Sequence, residues 1–176
     1  MKKWLKITAG VVVLLLIAFF ALRTWTKSYS PEAQEKIVKN GFTAEVTYCR
    51  PSKKGRVIFG GIVPYGKVWR TGANEATTIQ LGQDTEVAGS ILPKGTYSLW
   101  TIPDQQEWTV IFNKETGQWG TNYNAEEDIL KVKVPATRSD ESVEMFTISF
   151  KSIGNEVQMI LSWENTVVAV PMKKAR

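Results

Sequence analysis

Turn signals recur along this chain too closely to leave room for helices. Asn40-Gly41, Gly82-Gln83-Asp84, Gly89-Ser90, Pro93-Lys94-Gly95, Pro103 to Gln106 and Ile153-Gly154-Asn155 cut it into stretches of only several residues. The stretches between them alternate or are rich in β-branched and aromatic residues, which is how strands read. Phe42 to Tyr48 places Phe42, Ala44, Val46 and Tyr48 on one face; Thr77 to Leu81, Thr96 to Ile102, Trp108 to Asn113 and Ile129 to Val134 follow. Phe146, Ile148 and Phe150 share a face, as do Val157, Met159, Leu161 and Trp163, with a further strand from Thr166 to Val170. A parallel sheet needs crossover helices, and this chain has nowhere to put them. The expected fold is all-β, an antiparallel sandwich or barrel-like domain of about eight or nine strands.

Two polar stretches, Ala136 to Ser142 and Glu164-Asn165, are expected to be turns, with Ile129 to Val134 ending at Pro135. Ser30-Pro31-Glu32 reads as an N-cap, a first-turn proline and an acidic first turn. A short helix is therefore expected up to Lys39, leaving at Asn40-Gly41.

The N-terminus is of another kind. Lys2, Lys3 and Lys6 precede sixteen uncharged residues from Ile7 to Leu22, and Arg23 and Lys27 follow. With Leu5 included and Trp4 and Trp25 at the two interfaces, this predicts one transmembrane helix spanning about residues 5–22. No small-x-small site follows the apolar run, which favours an uncleaved signal anchor over a cleaved signal peptide. The charge balance favours an inside N-terminus. That arrangement makes the protein single-pass in the inner (cytoplasmic) membrane, with the lipid bilayer as partner and the C-terminal domain in the periplasm or outside the cell. The resulting organisation is an anchor over 1–27, a linker or helix over 28–41, a β domain over 42–171 and a basic tail over 172–176.

The net charge of +5 belongs to the anchor alone. All 17 acidic residues lie at or after Glu32, and 17 of the 22 basic residues lie after Lys27, so the domain is formally neutral. A nucleic-acid partner is not expected. Lys53, Lys54 and Arg56 form a small basic cluster, suited to local phosphate or sulfate contact or to a solvated surface. The single cysteine, Cys49, can form no internal disulfide and reads as a small buried hydrophobe.

The densest information lies between Arg50 and Thr78, RPSKKGRVIFGGIVPYGKVWRTGANEATT, with five glycines, two prolines and large apolar side chains. Idle linkers do not contain Ile58, Phe59, Val63, Tyr65 and Trp69. The run is expected to be an ordered loop pinned by its own apolar residues.

Its motifs resemble those of the DUF2911 family, bacterial domains of unknown function. The matching stretches include Tyr48-Cys49-Arg50-Pro51, Val63-Pro64-Tyr65-Gly66 and Val68-Trp69-Arg70-Thr71-Gly72-Ala73-Asn74-Glu75-Ala76-Thr77. Leu92-Pro93-Lys94-Gly95-Thr96-Tyr97-Ser98-Leu99 and Trp108-Thr109-Val110-Ile111-Phe112-Asn113 continue the resemblance, which runs from about Ser30 to Pro171. It implies a secreted or membrane-attached protein and carries no established reaction. Serine is commoner in the family where this chain has Cys49, which weakens a catalytic role for the thiol.

Histidine is absent, which removes His-dependent nucleophile triads and zinc sites with His ligands. No phosphate-loop or dinucleotide motif is present, and no cofactor or metal is expected. Carboxylate, guanidinium, amide and aromatic chemistry remains. Arg50 and Arg70 offer forked donors for an anion. Asn74 can orient a hydroxyl, and Tyr65, Trp69 and Trp119 provide flat apolar platforms. Glu75 is the candidate catalytic carboxylate of a hydrolase acting on an envelope or sugar-like substrate. Its second carboxylate, about 5 Å or about 6.5–9.5 Å away according to stereochemistry, would come from Glu107, Glu127 or Asp128. Asn122, Asn124, Glu126 and Asp128 alternate as calcium ligands would, without fitting an EF-hand. Three readings stay open: binding of a small polar or envelope-associated ligand or envelope protein, the hydrolase, and a purely structural envelope role. In the last, Arg70 pairs with Glu75, Asn74 caps a turn and Trp69 anchors the core.

Overall fold

The computed structural model describes residues 2–154 and 156–175. Met1, Asn155 and Arg176, and the side chains of Lys2, Lys3 and Arg23, lie outside the described residues. Helix α1, Lys2–Tyr29, precedes nine antiparallel strands: β1 Glu32–Lys39, β2 Phe42–Cys49, β3 Thr77–Leu81, β4 Thr85–Val87, β5 Ser90–Leu92, β6 Gly95–Ile102, β7 Glu107–Asn113, β8 Asp128–Ile153 and β9 Glu156–Lys174. They form one nine-stranded sheet in the order β1-β2-β3-β6-β7-β8-β9-β4-β5. Among the described residues α1 is the one helix long and apolar enough to cross a membrane, over Trp4–Tyr29, and its apolar side chains are exposed.

The short helix expected before Asn40 is a strand. Glu32 to Lys39 pairs residue for residue with β2, from Glu32↔Cys49 to Lys39↔Phe42. An eight-residue helix is marginal by itself, while the same residues gain a full ladder against β2. Pro31, which cannot continue α1, sets the break. Asn40 and Gly41 both have positive φ (50° and 75°), as a two-residue hairpin turn requires. The Asn-Gly signal is a hairpin, not a helix exit.

The polar stretches after Pro135 are not turns either. β8 pairs β7 up to Glu107↔Pro135, then takes β9 as its partner from Ala136↔Val168 onward. Pro135, with no N–H to give, sits where the partner changes. Its neighbour Ala136 donates to the Gln106 carbonyl at 2.8 Å. Residues 139–146 then bulge: Arg138 faces Thr166 and Thr147 faces Ser162, so β8 spends more residues than β9 over this interval. Glu164-Asn165 stays within β9, the left-handed φ of Glu164 (50°) absorbing the kink. The expected basic tail is likewise β-structure through Lys174, pairing as Thr85↔Lys174 with β4.

The bulge leaves backbone groups that need partners, and the central loop supplies them. Lys53 N–H donates to the Glu144 carbonyl, Phe146 N–H donates to the Pro51 carbonyl, and Ser52 bridges Met145. Ile58, Phe59 and Val63 are buried in the main core, as expected for a pinned loop. That core also joins Phe42, Ala44, Val46 and Tyr48 of β2 to Phe146, Ile148, Met159, Leu161 and Trp163 of the long strands. Trp100 instead faces the opposite side of the sheet, with Ala76 and Ile111, and packs against Tyr123 of the segment joining β7 to β8.

Tyr48 ties the two ends of the core. Its buried hydroxyl donates to the Ile148 carbonyl at 3.0 Å and accepts from the Ile148 N–H at 2.9 Å. Tyr48→Phe leaves both backbone groups unsatisfied, each worth about 1–3 kcal/mol when buried. Urea denaturation is expected to show a loss of about 2 kcal/mol or more with an unchanged m-value; an unchanged midpoint would contradict this role.

Candidate functional site

Between Trp69 and Glu75 the central loop is built from unusual backbone. Thr71 has φ 53° and Asn74 φ 59°, both left-handed, and Gly72 has φ 155°. A β-branched residue rarely adopts this region, at a cost on the order of 1–3 kcal/mol. The surroundings hold Thr71 there. Its hydroxyl lies 3.1 Å from that of Thr101, and its carbonyl accepts from the Thr77 hydroxyl at 2.7 Å. Trp69 exchanges both backbone hydrogen bonds with Thr101, at 2.7 and 2.9 Å. The segment is therefore fixed against β6 on one side and its own exit strand on the other.

Trp69 is a core anchor. It stacks on Trp163 (centroids 5.9 Å apart, interplanar angle 18°) and meets Phe59, Trp108 and Phe146 edge-on. Arg70, next in sequence, points the other way. Its guanidinium is partly buried, and among the described residues it has no hydrogen bond or ion pair. Burial alone pushes its pKa down, since no carboxylate is close enough to oppose the effect. An arginine stays charged regardless. Its aliphatic stem lies over Gly120, where a Cβ would overlap Arg70 Cδ and come within 2.6 Å of the Asn74 carbonyl oxygen.

Arg70 lines a cavity of about 540 Å³ with Lys54, Arg56, Trp69, Trp163, Ile62 and Val63, closed on one side by Tyr29 and Ser30 at the end of α1. Three cations and two indoles meet there, and no described acidic residue lines it. Lys54 Nζ sits 5.1 Å from the Tyr29 ring centroid. Arg56 is held by the carbonyls of Ser52 and Lys53, at 2.7 and 3.0 Å. A cationic recess with an aromatic floor attracts an anion that carries some apolar surface.

The other candidates go elsewhere. Arg50 is used internally, donating to the Phe146 carbonyl (3.2 Å) and the Thr147 hydroxyl (2.9 Å). The expected Arg70–Glu75 pair does not form: Glu75 meets Lys27 of α1 at 3.4 Å and takes the Cys49 thiol at 3.9 Å. Cys49 is buried, and burial pushes its thiol pKa up. Asn74 serves the loop, its carbonyl accepting from Gly120 N–H at 2.9 Å and its amide reaching the Ser30 carbonyl at 3.5 Å. Tyr65 lines a separate cleft with Gln105, Arg138 and Glu164. Trp119 and Glu75 line a third, apolar groove against Phe19, Leu22 and Thr26 of α1.

Two of the three carboxylates named as partners for Glu75, Glu107 and Asp128, have other commitments. Glu107 pairs with Lys133 at 2.8 Å. Asp128 is nearly buried and accepts from Tyr123, Asn113 and Lys131. The calcium alternation is broken in the same way: Asn124 caps the 3-10 turn at Ala125–Glu127 through Glu126 N–H, and Asn122 takes the Thr121 hydroxyl. Among the described residues no group of three or more acidic or cysteine side chains could hold a metal.

A family model described as a protein of unknown function, DUF2911, matches residues 30–172. The chain belongs to the DUF2911 family. No curated protein and no solved structure matches it. The DUF2911 match begins at Ser30, where α1 ends, and so takes in β1 as part of the domain.

The sequence singles out Arg70 and Trp69 as candidates and offers Lys53, Lys54 and Arg56 as a cluster for phosphate or sulfate contact or a solvated surface; in the structure Lys54, Arg56 and the core residue Trp163 line the same cavity as Arg70 and Trp69. The Lys53–Arg56 run was the available signal. What it lacked was the β8 bulge, which folds that run back toward Arg70. Gly120→Ala should displace Arg70 and lower the melting temperature by several degrees, since overpacking costs about 1–3 kcal/mol. A Gly120→Ala variant as stable as the parent would show that the Arg70 stem is not held there.

Proposed function

We propose that this DUF2911 protein is a membrane-anchored, extracytoplasmic β-sandwich domain that binds a small anion in the cavity beneath Arg70. The observation that carries the reading is Arg70, partly buried and without a hydrogen bond or ion pair among the described residues, lining a recess with two more cations and no described acidic residue. Natural proteins rarely leave a desolvated charge without a partner, and a bound carboxylate, phosphate or sulfate would supply it. The left-handed backbone at Thr71 and Asn74 supports the reading, because such strain persists where a loop must be held in one shape. Trp69 and Trp163 give the anion's carrier an apolar floor.

The hydrolase reading through Glu75 has less support. Glu75 lies on the α1 side of the loop with Lys27, outside the Arg70 cavity, and Glu107 and Asp128 are engaged in other pairs. α1, unburied and apolar along its length, supports the anchor, with the domain on the outer face.

Thermal unfolding of the full chain in non-ionic detergent tests the site against phosphate, sulfate and small carboxylates. A cognate anion at about 100-fold over its Kd adds about 2.7 kcal/mol, a rise of roughly 5–10 °C for a chain of this size. Arg70→Ala is expected to abolish the shift and Glu75→Gln to leave it intact. A shift that survives Arg70→Ala would move the site elsewhere. For topology, protease added to spheroplasts is expected to degrade the β domain; full protection would place it on the cytoplasmic side.

A further inference from the structure

The Arg70 cavity and the apolar groove beside Trp119 lie in sequence along one side of α1. Phe19, Leu22 and Thr26 line the groove, and Tyr29 and Ser30 line the cavity. Steps of three and four residues keep Phe19, Leu22, Thr26 and Tyr29 on a single stripe of the helix. Travelling outward along α1, a groove that is apolar apart from Glu75, which pairs with Lys27, gives way within two turns to a cavity lined by three cations.

The spacing matches a bilayer. Residues 5–22 span about 27 Å at 1.5 Å per residue, close to the roughly 30 Å hydrocarbon core. Tyr29 lies seven residues beyond Leu22, about 10 Å further along the axis. The headgroup layer occupies roughly 5–8 Å on each side. With Leu5 at the inner boundary, a core of about 30 Å reaches about Trp25; the groove then sits at the acyl edge, and Tyr29, about 6 Å further out, at the outer part of the headgroup layer. Trp25 and Trp119, both exposed, fall at the depth where tryptophan is enriched.

We infer that the anion taken by this cavity is the phosphate of a membrane lipid headgroup, with the start of an acyl chain seated in the groove against Trp119. The inference rests on the anion-binding reading above and adds the source of the anion. A free phosphate would use Arg70, Lys54 and Arg56 and have no use for the groove. A lipid uses both, in the order in which they occur. Arg70 forks around the phosphate oxygens, and the Tyr29 ring, already in contact with Lys54, closes the membrane side.

The test uses the full chain in non-ionic detergent, titrated with dioctanoyl phosphatidylglycerol and, separately, with inorganic phosphate, followed by tryptophan fluorescence and melting temperature. Phosphatidylglycerol is expected to bind at least tenfold more tightly than phosphate. Arg70→Ala should weaken both ligands at least tenfold, whereas Trp119→Ala should weaken the lipid severalfold and leave phosphate unchanged. Should Arg70→Ala fail to fold, the double substitution Lys54→Ala with Arg56→Ala alters only exposed side chains and should also weaken both ligands. Equal, Arg70-dependent affinity for phosphate and lipid would overturn the lipid assignment and leave the anion site standing. Lipid binding indifferent to all these cationic substitutions would mean annular association and also overturn it. No response to either ligand or to the wider anion panel would defeat both readings.

Discussion

The stack of Trp69 on Trp163 is the contact on which the rest of this structure depends. It joins the least regular part of the chain, the loop between β2 and β3, to the longest strand pair. Around it Phe59, Trp108 and Phe146 make edge-to-face contacts, so five large rings meet in one cluster. Such rings bury large areas and prefer these offset and perpendicular geometries. A loop of over twenty residues carries a heavy entropic cost of ordering. Here it is offset by aromatic burial at the loop's centre and by backbone hydrogen bonds at its ends.

The bulge in β8 and the central loop are two halves of one arrangement. The extra residues of β8 expose the carbonyl of Glu144 and the N–H of Phe146, and the loop residues Lys53 and Pro51 satisfy them. Trp163 Nε1 donates to the same Glu144 carbonyl at 3.2 Å. The loop is thereby held over the strand pair, with the Arg70 stem packed on Gly120. A cationic recess then follows from packing, because the Lys54–Arg56 turn has been carried to within reach of Arg70.

Local signals failed where a tertiary partner outweighed them. Ser30-Pro31-Glu32 has the chemistry of a helix start, yet β2 offers Glu32 to Lys39 a complete ladder, and the same Asn40-Gly41 serves as a hairpin turn. Ala136 to Ser142 has the composition of a turn, yet β9 runs alongside and recruits it as a bulged strand. Arg70 lies five residues from Glu75 in sequence, but the Lys27 that engages Glu75 lies on α1. Polar composition reports solvent tolerance. It does not report whether another strand lies alongside.

What the sequence by itself determined is the class of the protein. Close turn signals and period-two alternation admit only antiparallel pairing, the run from Ile7 to Leu22 is too uniformly apolar to belong to the domain core, and the tryptophan–arginine–threonine run marks the family. These are local properties, set by residue type and spacing. The tertiary structure alone decided which of the candidate residues share a space. Arg70 and Trp69 meet Lys54, Arg56 and Trp163 in one cavity, while Arg50, Tyr65 and Trp119 are dispersed to three other places. That partition depends on how a bulge nearly a hundred residues further along the chain folds the loop back, and no local pattern carries that information.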